Sequence, residues 1–461
     1  MFKYKLNNFR SFDNEEFDFK RINVLIGENS GGKSSLLKSI LALKQTLESP
    51  SLSNLILNGR YTDLGNFNET IYNQDDKLDL EFRFSYGREQ NAFVETYIFD
   101  DLELVKIAKK KKELLRKSIE EALNFETSFS VKFSKKLNTH QAIKVEFINN
   151  FLGQINIVFD KDSEETRDNL FRERTCTIEY FRNSTKELIE LSDIEFSKSG
   201  FFSMIEPSSL KKACIKRKEH ELFYEIAVLL LTQNLTENYL DNIEYINPLA
   251  STPKRIYMKK DSQSDYEGTG LDKFMNMVIN NQVSKSDLTK FSRILRNYGI
   301  AENLEVLESP SMPVSELRVK IENLVSNIYD VGFGVSLQIP ILFEAFIGEN
   351  HGGKTFIIEQ PELHLHPSLQ ARFIKTLLEM GESNSYIIET HSEHMVRMLQ
   401  LLVKNSEHNI SNEDVQIYYF KRGEEKFEVS NHNLGVNGEM NETFPSGFYD
   451  VSYQLTKQML F

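Results

Sequence analysis

The sequence predicts an α/β fold of the P-loop nucleotide-binding kind, with an antiparallel β meander and a helical region set into it. Three observations predict it. A phosphate-binding loop stands between an apolar strand and a helix near residue 30. β-like runs recur between residues 79 and 198, and strands alternate with helices from residue 331 onward. Strands and helices in alternation imply a parallel sheet, here assembled from both ends of the chain.

Two short strands open the chain, Lys3–Phe9 and Ile22–Ile26, and the second runs into Gly27-Glu28-Asn29-Ser30-Gly31-Gly32-Lys33-Ser34. This is the G-x-x-x-x-G-K-[ST] spacing, followed by a helix from Lys33 to about Leu47. Its glycines let backbone N–H groups turn onto phosphates at a helix N-terminus. Asn29, Gly31, Gly32, Lys33, Ser34 and Ser35 are therefore expected to line ATP. Lys33 would reach the β- and γ-phosphates, and Ser34 would hold Mg²⁺.

The same pattern recurs at Gly348-Glu349-Asn350-His351-Gly352-Gly353-Lys354-Thr355, in inverted context. The apolar run Ile339–Ile347 precedes it and the short strand Phe356-Ile357-Ile358 follows. Without a helix behind the loop, its dipole and unpaired amides are missing, so a helix-to-strand turn is expected.

The meander is read from Leu80–Tyr86, Phe93–Phe99, Ser128–Phe133, Ile143–Phe147, Ile155–Phe159, Thr175–Phe181 and Leu188–Ile194, separated by turn-rich or charged stretches. A basic helical excursion over 104–124 interrupts it. Helical patterning follows from Ser208 to Gln233 and from Gly270 to Arg296. Three regions result: 1–205 with the loop and meander, 206–330 as a helical insertion, and 331–461 as a second α/β lobe.

With 461 residues there is material for two or three cores. No segment has the run of about 18 apolar residues of a membrane span, and Met1–Lys5 does not open a signal peptide. Cys176 and Cys214 give neither a disulfide framework nor metal spacing. A reducing, cytoplasmic setting is expected. The net charge of −13 argues against a surface coated in nucleic acid. Two basic runs, 106–117 and 211–218, are either solvated helix faces or local DNA contacts.

In the C-terminal region Phe356–Ile358 is an apolar strand ending in Glu359-Gln360-Pro361-Glu362. Acids at a strand end beside a phosphate loop hold the metal, which assigns Mg²⁺ to Glu359. The next position would ordinarily carry the base that activates water. Gln360 is an amide that can orient a water but cannot accept its proton, leaving Glu362 as the nearby carboxylate. His391 ends the following strand, within reach of a γ-phosphate or the attacking water. His364, His366 and His394 fit no common zinc spacing.

Asn8-Phe9-Arg10-Ser11-Phe12, the Gly27–Ser34 loop, the turn Gly332–Ser336, Glu359–Pro367, Glu389–Glu393 and the closing Phe444–Asp450 together resemble the SMC/RecF/OLD-like branch of ABC ATPases. The likeness is strongest to stand-alone defence-type ATPase subunits of the Septu and PARIS kinds. It implies an ABC-ATPase head in which two protomers sandwich two ATP molecules, with Gly334 and Ser336 of one facing Lys33 and Ser34 of the other. It also implies Arg10 beside the phosphates, His391 as the switch histidine, and Gln74 as the lobe-joining glutamine near Mg²⁺. The chain departs from the branch at Leu337, where relatives often carry Gln, and at Gln360.

The resemblance implies an ATP-binding, slowly hydrolysing switch that assembles as a homodimer or higher oligomer. It would control a separate effector, a nuclease, in antiphage defence. The alternative is a RecF-like DNA-repair ATPase that binds DNA in an ATP-dependent way. An intrinsic nuclease and a transporter motor fit less well. Asp160-Lys161-Asp162 reads as a surface turn, and no Asp-x-Asp pair follows His391.

Overall fold

Apolar and polar residues alternate in Phe2–Phe9 (β1), burying Phe2, Tyr4 and Leu6, the period of a half-buried strand. Ile22–Gly27 (β3) is apolar throughout apart from Asn23 and Gly27 and is buried at every position, as a central parallel strand requires. A computed structural model of the chain describes residues 2–49, 54–87, 113, 116–117, 120–122, 124–136, 139–159, 175–195, 207–217, 220–247, 252–258, 270–423, 427–441 and 457–459. The segments Phe93–Phe99, Lys109–Lys112, Asp160–Asp162 and Phe444–Asp450 lie outside the described residues. The chain divides into two units: Met1–Phe19 with Ser34–Asn242 and Arg422–Phe427, and Lys20–Lys33 with Ile243–Lys421 and Glu428–Phe461.

The first unit is built on the meander. Its strands are β1, Phe12–Phe19 (β2), Asn54–Leu55 (β4), Leu80–Tyr86 (β5), Thr127–Lys136 (β6), Thr139–Asn149 (β7), Gly153–Phe159 (β8), Thr175–Arg182 (β9) and Glu187–Glu195 (β10). They pair antiparallel in the order β10-β9-β8-β7-β6-β5-β1-β2, with β4 on β7. Strand β2 was not expected, because Asn14-Glu15-Glu16 hides its pattern; Phe12, Phe17 and Phe19 are nevertheless buried. Helix α1 (Lys33–Leu47) begins at the phosphate loop as expected. The helical stretch read at 208–233 is two helices, Pro207–Lys216 (α3) and His220–Asp241 (α4), following a one-turn helix at Phe67–Thr70 (α2). Lys44 Nζ caps α4 by donating to the carbonyls of Leu240 and Asp241 at 3.1 and 3.2 Å.

In the second unit a six-stranded sheet runs Ile243–Ile246 (β11), Thr355–Glu359 (β16), Ser385–Glu389 (β17), β3, Val415–Arg422 (β18) and Phe427–His432 (β19), in that spatial order. From β11 to β18 every pairing is parallel. Val24, Ile26, Ile358, Ile388 and Ile417 share a core with helices Leu271–Ile279 (α5), Lys285–Tyr298 (α6), Phe333–Asn350 (α7), Pro367–Glu379 (α8) and Glu393–Asn405 (α9). Strand β17 therefore lies between the loop strand β3 and the acid-bearing strand β16. A smaller antiparallel sheet, unannounced by the sequence reading, holds Tyr257–Met258 (β12), Asn303–Glu308 (β13), Val314–Ile321 (β14) and Leu324–Asn327 (β15).

Candidate nucleotide-binding site

The loop after β3 is shaped by glycines with no substitute. Gly27 has φ +131°, and a Cβ on it would stand 2.0 Å from the carbonyl oxygen of Phe420 on β18. A Cβ on Gly31 would meet the carbonyls of Glu28 and Phe420 at 3.0 Å, and Gly32 has φ +108°. Glu28 donates its amide to Phe420 O at 2.9 Å, pinning the loop to β18. Asn29 is exposed at the tip, and Ser30 takes a left-handed φ of 60°. Lys33 is almost fully buried, and its Nζ donates to the carbonyls of Gly27 at 3.1 Å and Glu28 at 2.7 Å. Burial lowers its pKa, against the raising fields of Glu389, Glu28 and Glu362. Ser34 and Ser35 stand at the start of α1, where the first helical turn leaves amides without intrahelical partners.

Strand β16 ends in Glu359, whose Oε1 accepts from the Tyr245 hydroxyl at 2.9 Å. Burial and then the Glu359 charge raise the Tyr245 pKa, so the phenol stays a donor. Gln360 has a left-handed φ of 44°, and its amide donates to Glu389 O at 2.7 Å, tying the ends of β16 and β17 together. Glu362 is buried. One oxygen, Oε1, accepts from the His391 amide at 2.7 Å, and the other, Oε2, has no hydrogen-bond partner. Burial raises its pKa, opposed by the His391 amide, by its own backbone amide, by the nearby Thr390 and by the Lys33 charge. The His391 imidazole titrates below its usual value because it is partly desolvated and faces Lys33. Lys33, Glu362, Glu389 and His391 thus share one electrostatic neighbourhood.

Gly334 and Ser336 are not in a turn before a helix, as the sequence reading placed them. They occupy the first turn of α7, because Gly332 is already the N-cap. A Cβ on Gly334 would lie 2.7 Å from His364 O, and Ser336 Oγ bonds Phe333 O at 2.8 Å. Two positions on, Gln338 is wholly buried and donates to Pro361 O at 2.7 Å, coupling this helix to the loop that carries Gln360 and Glu362. His366 caps α8. Among the described residues no group of three or more His, Cys, Asp or Glu gathers as a metal site.

In the first unit, a bridge between Phe9 and Ile71 aligns the segments bearing Arg10 and Gln74. Arg10 has a left-handed φ of 53°, its amide donates to Thr70 O at 2.7 Å, and its Nη1 meets Ser35 Oγ at 3.4 Å. Its Nε is buried without a partner, and burial lowers the guanidinium pKa. Gln74 is exposed, with φ 56°.

Glu389, Tyr245 and Gln338 are not singled out by any motif in the sequence. The first was visible as an acid ending an apolar strand; the other two carry no local signal and emerge from strand pairing and helix packing. ATP with Mg²⁺ fits this chemistry: a loop whose Gly27 and Gly31 leave no room for a Cβ, a buried lysine, a carboxylate oxygen without a partner, and a further acid at a strand end. A bound cation would neutralise phosphate charge.

The model of the AAA ATPase domain family matches residues 1–396. Over 90 residues the chain is 37% identical to the OLD nuclease of Thermus scotoductus, a stretch that is 18% of this chain and 17% of that protein. The SMC head domain from Thermotoga maritima aligns with 93% of this chain and 97% of its own at 9% identity and a TM-score of 0.34. An Smc head domain with an extended coiled coil, bound to the C-terminal domain of ScpA and derived from Pyrococcus furiosus, aligns over 100% of both at 12% identity and a TM-score of 0.37. No helix among the described residues is long and apolar enough to cross a membrane. With the family model spanning residues 1–396 of 461, and the motif resemblance alongside it, the chain belongs to the AAA ATPase domain family and is an SMC/RecF/OLD-like ATPase.

Proposed function

We propose that the chain is an ATP-binding, slowly hydrolysing switch subunit. In this reading ATP and Mg²⁺ occupy the Gly27–Ser34 loop, with Ser34 and Glu359 on the metal and Gln74 near it. Arg10, Asn29, Gly31, Gly32, Lys33 and Ser35 hold the phosphates. Gly334 and Ser336 of a second copy complete the sandwich, and His391 senses the γ-phosphate. The assembled form controls a separate effector, a nuclease, in antiphage defence. The observation that carries the slow step is Gln360. It is held by its amide at the junction of two strands, where an amide side chain orients water without taking its proton.

Steady-state ATP turnover tests this, with Lys33→Ala as control for contaminating activity. Wild-type turnover should be slow and absent in the control. Gln360→Glu, which supplies a base, should raise it about a hundredfold. Fast wild-type turnover would overturn the switch reading.

The RecF-like reading has one observation in its favour: Lys211, Lys212, Lys216 and Arg217 are all exposed along and just past α3. ATP-dependent DNA binding that collapses in Lys211→Glu/Lys212→Glu/Lys216→Glu, with no effector co-purifying, would select it. The likeness to an OLD nuclease supports the nuclease connection without deciding whether the nuclease is a partner.

A further inference from the structure

We infer that Glu389 is a second carboxylate of the nucleotide-bound cation's site, acting beside Glu359, so that two acids hold a cation for which the sequence motif supplies one. This rests on the ATP-binding reading above.

Register places the two acids together. Glu359 and Glu389 are direct partners in the parallel pair β16–β17, on neighbouring strands about 4.8 Å apart. Partners in register point to the same face. Ile358 and Ile388, one residue earlier, join the helical core, so both glutamates face the opposite side. Topology then sets that side at the phosphate loop. β17 pairs with β3 on its other flank, and Glu389 is level with Leu25, two residues before Gly27. Glu389 is only 4% exposed.

Electrostatics agrees with the placement. Glu389 is the strongest of the acids acting on Lys33, and Tyr245, whose hydroxyl binds Glu359, feels both carboxylates. A separate observation marks a missing positive partner. Glu362, 9% exposed, also acts on Lys33, and its Oε2 is sealed from solvent without a hydrogen bond. Glu389, Glu28 and Glu362 all act on Lys33. A buried carboxylate oxygen without a hydrogen bond, such as Glu362 Oε2, is costly, and a divalent cation nearby relieves that cost. Because no three His, Cys, Asp or Glu side chains gather among the described residues, the cation ligands beyond these acids and Ser34 must come from nucleotide phosphate and water. Cation binding should therefore require nucleotide.

The alternative is that Glu389 merely props Lys33. The two roles differ in sign when the cation is absent. A prop, once removed, weakens ATP binding with or without metal. A second metal carboxylate, once neutralised, weakens the cation but relieves repulsion of metal-free ATP.

The test uses the full chain with ATP in EDTA and with Mn²⁺, reading ATP affinity by calorimetry and free Mn²⁺ by electron paramagnetic resonance. Glu389→Gln should weaken Mn²⁺ in the ATP complex about tenfold or more, tighten ATP in EDTA, and leave Mn²⁺ without ATP unbound as in wild type. Unchanged Mn²⁺ affinity, or an equal loss of ATP affinity in both conditions, overturns the inference. If Glu389→Gln does not fold, Glu389→Asp keeps the charge on a shorter stem and should lose Mn²⁺ affinity by a smaller factor; no loss overturns it equally. Wild type that fails to bind ATP would instead sink the nucleotide reading itself.

Discussion

Two loops of this chain carry the same eight-position pattern, and they differ in nearly everything else. In Gly27–Ser34 the strand β3 comes first and α1 follows, whereas in Gly348–Thr355 the helix α7 comes first and β16 follows. Lys33 is buried and donates to its own loop's carbonyls. Lys354 is about one-third exposed and forms an ion pair with Glu244. In the second loop the amides are already used: His351 and Gly353 donate to Gly348 O at 3.1 and 2.9 Å, and Lys354 donates to Asn384 Oδ1 at 3.0 Å. A helix ending consumes amides in closing itself, while a helix beginning offers them. The pattern of letters is shared; the direction of the following element decides what it can hold.

Removing each lysine in turn separates the two loops by the largest effect. Lys33→Ala should weaken ATP binding about a hundredfold or more, since charge-assisted bonds to phosphate are lost. Lys354→Ala should leave ATP affinity within about twofold and cost about 1 kcal/mol or less of stability, as for a partly exposed pair. Calorimetric titration of both variants decides it. A comparable loss in the two would mean that the second loop binds phosphate after all.

That contrast also marks what was legible in the sequence. Context around each Gly-Lys pair was readable because flanking apolar runs set the elements locally, and both loops have the flanks that were expected. The meander was readable where alternation was clean, as in Leu80–Tyr86, and failed at Phe12–Phe19, where the four polar residues Asp13–Glu16 interrupt it. The sheet Asn303–Asn327 was missed because its strands are largely polar or exposed. At the site, Lys33, Glu359 and His391 were legible from motif spacing. Glu389 acquires meaning only from the order β16-β17-β3, and Tyr245 only from the pairing of β11 with β16. Neither adjacency is written in local spacing.

Glycine substitutions distinguish the two loops by effects of intermediate size. Gly353 has φ +88°, and a Cβ on it would stand 2.2 Å from Ser383 O. Gly353→Ala should therefore lose about 2–4 kcal/mol of stability while the folded fraction keeps wild-type ATP affinity. Gly27→Ala faces a comparable clash with Phe420 O, but should lose ATP affinity as well, because the carbonyl that Lys33 contacts must move. Gly352 has φ +92° with nothing within 4 Å of its Cβ position, so Gly352→Ala should cost only about 1 kcal/mol of backbone strain. Thermal denaturation with and without nucleotide separates the three.

The smallest expected effect concerns the charges behind the second loop. Lys354 belongs to a network in which Lys273 reaches Glu344 at 2.8 Å and Glu244 at 3.6 Å. Glu344 is held above the ordinary carboxylate range by burial and by the Glu244 charge, against the pull of Lys273 and Lys354, and its Oε1 lacks a partner. A raised carboxyl pKa means that the native state binds more protons than the unfolded state between the two values. This contribution is fully present below the unfolded pKa and is lost as pH rises through the folded one. Glu344→Gln should remove that slope, making the variant relatively more stable toward neutral pH. Urea denaturation across pH 4 to 8 measures it. A slope that persists in Glu344→Gln would place the titrating group elsewhere. A slope that vanishes would place the titration at Glu344, in the charge cluster to which Lys354 belongs through Glu244.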